Sequence, residues 1–324
     1  MKLSRLVVPA VLGLVGLFST YRSAHADLLV LNQSNNSVQR FSDTGTNLGA
    51  FVTSGSGGLS SPYSLSIRAS DNSIFLASTG TNSIKRYSGI DGSYLGDFVT
   101  GATNPRDNLF GPDNNLYVSN STANTVTRYD GSTGAALGTF VTSGSGGLAL
   151  PVAMTFMPGG DLLVSSGTTA AVKRYNGTTG AYLGDFVTGV SNPRNAVFGP
   201  DGNFYLASGN TPATSAIGKY NGTTGAFISN FATTNVSNPI GLAFGPDNNL
   251  YVSNFGSDNI TRYDGATGAY IGTFGTSVTS PREIAFFTPT AVATPEPSTY
   301  AMMALGLVTL CVLGARRKKD AQAL

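Results

Sequence analysis

A basic residue followed by an aromatic one recurs six times along the chain, as Arg40-Phe41, Arg86-Tyr87, Arg128-Tyr129, Arg174-Tyr175, Lys219-Tyr220 and Arg262-Tyr263. The aromatic members lie 46, 42, 46, 45 and 43 residues apart. A phenylalanine follows each pair ten or eleven residues on, at Phe51, Phe98, Phe140, Phe186, Phe231 and Phe274. A period of about 44 residues is that of a four-stranded propeller blade, a unit that buries its faces only by packing against its neighbours.

Each copy reads as four short strands. In one of them Leu116–Ser119, Thr125–Tyr129, Ala135–Phe140 and Val152–Phe156 are rich in β-formers, and Gly111-Pro112-Asp113 and Asp130-Gly131 supply turns between them. No segment between the two ends sustains a 3.6-residue period, so no helix is expected there. The 41 glycines fit a chain with two tight turns per blade. A proline opens one strand of every copy, at Pro62, Pro105, Pro151, Pro193, Pro239 and Pro281. The chain enters the pattern at Asp27 on the second strand type and leaves it near Phe287 on the first. One blade is therefore expected to combine both ends and tie the ring shut.

The expected fold class is all-β: a six-bladed propeller closed by shared N- and C-terminal strands, with a signal peptide before it and a single hydrophobic helix after it. Residues 1–26 have the form of a secretory signal, with Lys2 and Arg5 before a 13-residue apolar run and Ala24-His25-Ala26 as the small-x-small cleavage site. Export through the Sec machinery is the expectation. Residues 27–289 are the propeller and 290–299 a Pro/Thr linker. Residues 300–324 hold an apolar run from Tyr300 to Ala315 and then Arg316-Arg317-Lys318-Lys319. That order suits a transmembrane helix with a positive cytoplasmic anchor.

Pro295-Glu296-Pro297, the apolar run and the basic cluster together resemble the PEP-CTERM sorting signal of bacteria. The resemblance implies an exosortase-type processing enzyme as partner and transient anchoring in the inner membrane. Release to the cell surface or extracellular matrix would follow. The blade pattern, clearest in Gly245-Pro-Asp-Asn-Asn-Leu-Tyr-Val-Ser-Asn254, resembles NHL-repeat propellers and the streptogramin lyase-like group. That second likeness bears on fold far more than on function.

Composition narrows the chemistry. The only histidine is His25 and the only cysteine Cys311, so residues 27–289 have neither imidazole nor thiol. Ser-His-Asp and Cys-His nucleophiles, Cys/His zinc sites and disulfides are excluded from the domain. The lyase activity depends on histidine in the family that this chain resembles, so it is not carried over. Residues 27–294 hold twelve basic against fifteen acidic residues, a net charge of −3 that offers nothing to nucleic acid. The formal +2 of the whole chain belongs to its two ends.

The blades alternate in type. FVTSGSGGL at 51–59 returns at 140–148, and FVTGATNPR at 98–106 returns as FVTGVSNPR at 186–194. The residues after the six prolines are Tyr63, Arg106, Val152, Arg194, Ile240 and Arg282. Every second inner strand thus starts with arginine, which sets three guanidinium groups roughly 120° apart in a six-bladed ring. One reading is structural, with the arginines paired to carboxylates or lining a wet channel. A second is an anion site for carboxylate, sulfate or phosphate. A third uses the following residues, Asp107, Asn195 and Glu283, as oxygen ligands for calcium or magnesium, as in six-bladed lactonases that keep a metal near the axis. Side chains alternate along a strand, so both sets are not expected to face the axis. No cofactor is otherwise implied.

Three functions follow. The lead is a non-catalytic binding scaffold at the cell surface for a glycan or envelope partner, with anionic extracellular polysaccharide reaching Arg106, Arg194 and Arg282. The alternatives are a structural matrix protein without a discrete ligand and a metal-dependent lactonase or hydrolase-like enzyme. For the last, Asp107 and Glu283 are the carboxylates to test.

Overall fold

The computed structural model describes residues 26–209, 211 and 214–288. They form six four-stranded antiparallel sheets arranged as the blades of a propeller. Blade one joins Pro281–Phe287 to Asp27–Asn32, Ser37–Phe41 and Asn47–Val52, so the last described strand pairs with the first. The inner strands of blades two to six are Pro62–Ile67, Pro105–Phe110, Pro151–Phe156, Ala196–Phe198 and Pro239–Phe244. Among the described residues the helical elements are three 3₁₀ turns, Ser56–Gly58, Thr79–Thr81 and Ser145–Gly147.

The fold class needs one correction. No helix of the described residues is long and apolar enough to cross a membrane, so the hydrophobic helix joined to the propeller in the expected class finds no support. The segment on which it was placed, 300–315, lies outside the described residues, as do residues 1–25 of the signal segment.

Burial grades from the axis outward. The second strands, such as Leu116–Asn120 and Leu250–Asn254, are buried along their whole length, as their near-continuous apolar sequences require. The outer strands are exposed over most of theirs. The recurring phenylalanine packs between blades. Tyr117 meets Phe140 of its own blade at 4.9 Å and Phe156 of the next at 5.1 Å, both edge-to-face. Phe75 with Phe98 and Phe110, Tyr205 with Phe231 and Phe244, and Tyr251 with Phe274 and Phe286 repeat this arrangement. Such pairs contribute about 0.5–1.5 kcal/mol each beyond their buried area.

The basic–aromatic pair divides its labour. The basic member reaches an aspartate of its own blade: Arg40 to Asp27, Arg86 to Asp71, Arg128 to Asp113, Arg174 to Asp161, Lys219 to Asp201 and Arg262 to Asp247. The aromatic member anchors a loop in the even-numbered blades. There Tyr87, Tyr175 and Tyr263 donate to the carbonyls of Ser56, Ser145 and Thr234 at 2.8–2.9 Å.

Candidate axial site

The residue before each of the six prolines takes a positive φ, between 46° and 56°, which turns the chain sharply into the inner strand. Just inside, five of the six strands carry a bulge. Pro105 opposes Asn120 and Asp107 opposes Ser119, so Arg106 is an extra residue, and the same shift follows Pro62, Pro151, Pro239 and Pro281. In blade five the N–H of Arg194 and the carbonyl of Asn195 both bond to Ala207. A bulge sets two consecutive residues against one partner residue and re-aims their side chains. Both therefore line the axial cavity, Arg106, Arg194 and Arg282 together with Asp107, Asn195 and Glu283. The strict alternation expected from the sequence is corrected on this point.

Small residues make room for these six long side chains. Where blades one, three and five place Glu283, Asp107 and Asn195, blades two, four and six place Ser64, Ala153 and Gly241. Gly241 is required by contact: a Cβ there would stand 2.4 Å from the Arg282 carbonyl oxygen. Among the arginines only about 20 Å³ remains, room for one water, while beyond Asp107, Asn195 and Glu283 the axis widens into a cavity of about 440 Å³ lined by the inner strands of all six blades.

The arginines form one layer. Tyr63 is wedged among them, with Arg282 centred 3.5 Å and Arg106 4.3 Å from its ring centroid. Arg106 also donates to the Tyr63 hydroxyl. Phe255 lies 5.1 Å from Arg282. The Asn192 amide, oriented with its oxygen inward, accepts from Arg194 at 2.9 and 3.3 Å. None of the three guanidinium groups forms an ion pair with a carboxylate among the described residues, although nine other basic–acidic contacts do. Arg106 Nε and both Nε and Nη1 of Arg282 are buried without a hydrogen-bond partner, and Arg282 as a whole is only 6% exposed. Burial, reinforced by the charges of Arg194 and Arg106, pushes Arg282 down to about 10. Burial and Arg106 likewise lower Arg194.

The oxygen-bearing residues form a second layer. Asp107 accepts the N–H of Met154 in the next blade at 2.5 Å, and Glu283 accepts that of Leu65 in the next at 2.9 Å. Asn195 donates to Glu283 at 2.8 Å. Burial raises Asp107 to about 7, and burial together with the Asp107 charge raises Glu283 well above the usual carboxylate range. As a calcium or magnesium cage the set fits poorly, because the Asp107 and Glu283 oxygens already clasp neighbouring strands and the Asn195 amide, which leaves Asn195 Oδ1 as the one buried oxygen of the three residues without a hydrogen-bond partner. Among the described residues no group of three or more His, Cys, Asp or Glu side chains could hold a metal.

Tyr63 and Asn192 are the partners that sequence reasoning missed. Tyr63 was visible as the only aromatic among the six post-proline positions; Asn192 carried no such signal.

Comparison with known proteins bears on both parts of the chain. The PEP-CTERM protein-sorting motif matches residues 293–318. The chain carries a PEP-CTERM sorting motif and is an exported β-propeller protein. The motif implies an exosortase-linked sorting pathway. The anchoring step expected with it is withdrawn, both as a partner and as a location, because no helix of the described residues is long and apolar enough to cross a membrane. No curated protein matches the chain.

Among solved structures, a gluconolactonase from Xanthomonas campestris is similar at TM-score 0.58 and 15% identity, over 67% of this chain and 77% of that one. A chain of a nidogen–laminin complex is similar at TM-score 0.63 and 14% identity, over 81% and 98%. A protein of unknown function from Bacteroides caccae is similar at TM-score 0.62 and 15% identity, over 81% and 99%. At these identities the likeness is one of fold.

Proposed function

We propose that this exported propeller is a non-catalytic binding scaffold whose axial mouth takes an anionic group of an extracellular partner, such as a carboxylate or sulfate on a polysaccharide. One observation carries the reading: three guanidinium groups converge with no carboxylate among the described residues to neutralise them, and Arg282 keeps two buried donors unpaired. Each unmade hydrogen bond costs about 1–3 kcal/mol, more for a charged group, and one anion oxygen taking the water-sized space among the guanidinium groups, with the rest of the anion outside at the mouth, removes that cost. Tyr63 and Phe255 flank Arg282, so the anion approaches edge-on, where the geometry favours planar or tetrahedral oxyanions.

The test is retention on an immobilised acidic polysaccharide across a salt gradient. The wild-type protein is expected to bind and to elute as salt rises, whereas a triple Arg106→Ala, Arg194→Ala, Arg282→Ala variant elutes in the void. Equal retention of the two proteins would remove the arginines from the account.

A further inference from the structure

The even-numbered blades share one plan, from which blade six departs. In blade two, Lys85 is only 3% exposed, with its Nζ 2.8 Å from Asp97 and 5.5 Å from the Tyr94 ring. Tyr94 donates to the same carboxylate at 2.7 Å. A nine-residue loop between Val52 and Pro62 lays Gly57 directly on the Tyr94 ring, where a Cβ would come within 2.3 Å. Blade four repeats every part of this with Lys173, Asp185, Tyr182 and Gly146. The space between loop and outer strand is thus filled in both blades by an ion pair and by backbone.

Blade six keeps the tyrosine, Tyr270, but places Thr261 and Thr273 where the lysine and aspartate stand. Its loop between Ala232 and Pro239 has six residues and no glycine. A groove of about 240 Å³ opens there, lined on one side by Tyr270 and on the others by polar groups that include Asn235, Ser237, Asn259 and Thr273. No acidic or basic side chain lines it. Asn259 accepts at Oδ1 from Asn254 and Ser257, each at 3.1 Å, which fixes the amide and leaves its Nδ2 as an uncommitted donor among the described residues. Thr273 shares a 3.2 Å hydrogen bond with the Tyr270 hydroxyl and keeps further capacity as an acceptor.

We infer that this groove is a binding site for one neutral pyranose residue, separate from the axial arginines. A sugar ring presents an apolar C–H face and a rim of hydroxyls. The groove answers with an aromatic face and uncharged amide and hydroxyl groups, the mixture that fixes orientation in small-molecule sites. The volume lies below the ~300 Å³ at which pockets for larger ligands begin, which suits a single residue of a chain. With no charged side chain in its lining, the groove offers no ionic partner to the anions proposed for the axial mouth.

The test is saturation-transfer NMR on the full-length protein with the methyl glycosides of glucose, galactose and N-acetylglucosamine. At least one glycoside is expected to show saturable transfer. That signal should fall at least fivefold in Thr261→Lys/Thr273→Asp, which rebuilds the ion pair of blades two and four inside the groove. Tyr270→Ala removes a ring that is 38% exposed and lies 5.7 Å from Tyr263; with its melting temperature measured alongside to confirm a folded protein, it should reduce the signal equally. The triple arginine variant should leave it unchanged, which separates this site from the axial one. Absence of saturable transfer with all three glycosides, or undiminished transfer in Tyr270→Ala, overturns the assignment.

Discussion

Tyr63 stands between two guanidinium groups where a carboxylate would ordinarily sit, and the nearest carboxylates in sequence are one residue further along the inner strands. Asp107 and Glu283 turn instead to main-chain N–H groups of the next blade. This division gives the protein an unusual response to pH. A carboxyl held near 7 in the folded state, against 3.8 ordinarily, keeps its proton between those values while the unfolded chain has lost it. Its contribution to stability is complete below about pH 4 and disappears as pH rises through 7. Turn aspartates act in the opposite sense. Asp130 and Asp264 are held low by their threonine hydrogen bonds, and Asp71 by Arg68, so their contributions are lost as pH falls below the usual carboxylate range. Stability should therefore peak near pH 4 and decline toward pH 8. Asp107→Asn keeps an oxygen for Met154 but has no proton to lose. It should flatten the decline by on the order of 2–4 kcal/mol, read from denaturant unfolding at the two pH values. An unchanged slope in the variant would show that the carboxyl does not titrate in this range.

At the scale of strands and turns, the sequence was legible wherever local chemistry decides the outcome. The segment expected at Thr125–Tyr129 forms with those bounds, and Pro151–Phe156 begins one residue earlier than expected, at its proline. The three-fold spacing of the arginines was also legible, since it needed only the post-proline register. The bulges were not. They arise where a left-handed residue and a proline force the inner strand out of step with its neighbour, and no alternation of polar and apolar residues records that. The consequence was a wrong expectation that arginines and carboxylates face different ways. Gly241 tests how tightly the inner strands determine the site. Gly241→Ala brings a methyl group against the Arg282 backbone, and overpacking of this kind costs about 1–3 kcal/mol. The same displacement should weaken polysaccharide retention although no arginine is altered. Retention equal to wild type, with a normal melting temperature, would mean that the inner strand accommodates the methyl without moving Arg282.

At the scale of the whole molecule, charge among the described residues is arranged so that the axis is the place where cations remain unanswered. The six repeated basic residues are each neutralised by an aspartate of their own blade, and Lys85 and Lys173 by Asp97 and Asp185. Arg68 is held by Asp71. Of the twelve basic residues between 27 and 294, that leaves Arg106, Arg194 and Arg282, one from each alternate blade. A ring joined through Pro281–Phe287 and Asp27–Asn32 holds the three together, so their mutual repulsion is a load on the closed propeller and an anion that relieves it stabilises the fold. Ligand at a hundred times its Kd adds about 2.7 kcal/mol, a shift of several degrees for a domain of this size. Sulfate also strengthens folding generally by exclusion from the surface, so the informative quantity is a difference between proteins. Titrating sodium sulfate against sodium chloride at matched ionic strength should raise the melting temperature of the wild-type protein in a saturable way. The triple arginine variant should show only the shallow, non-saturating rise of the excluded salt. Parallel curves for the two proteins would mean that the guanidinium layer tolerates its own charge and holds no anion.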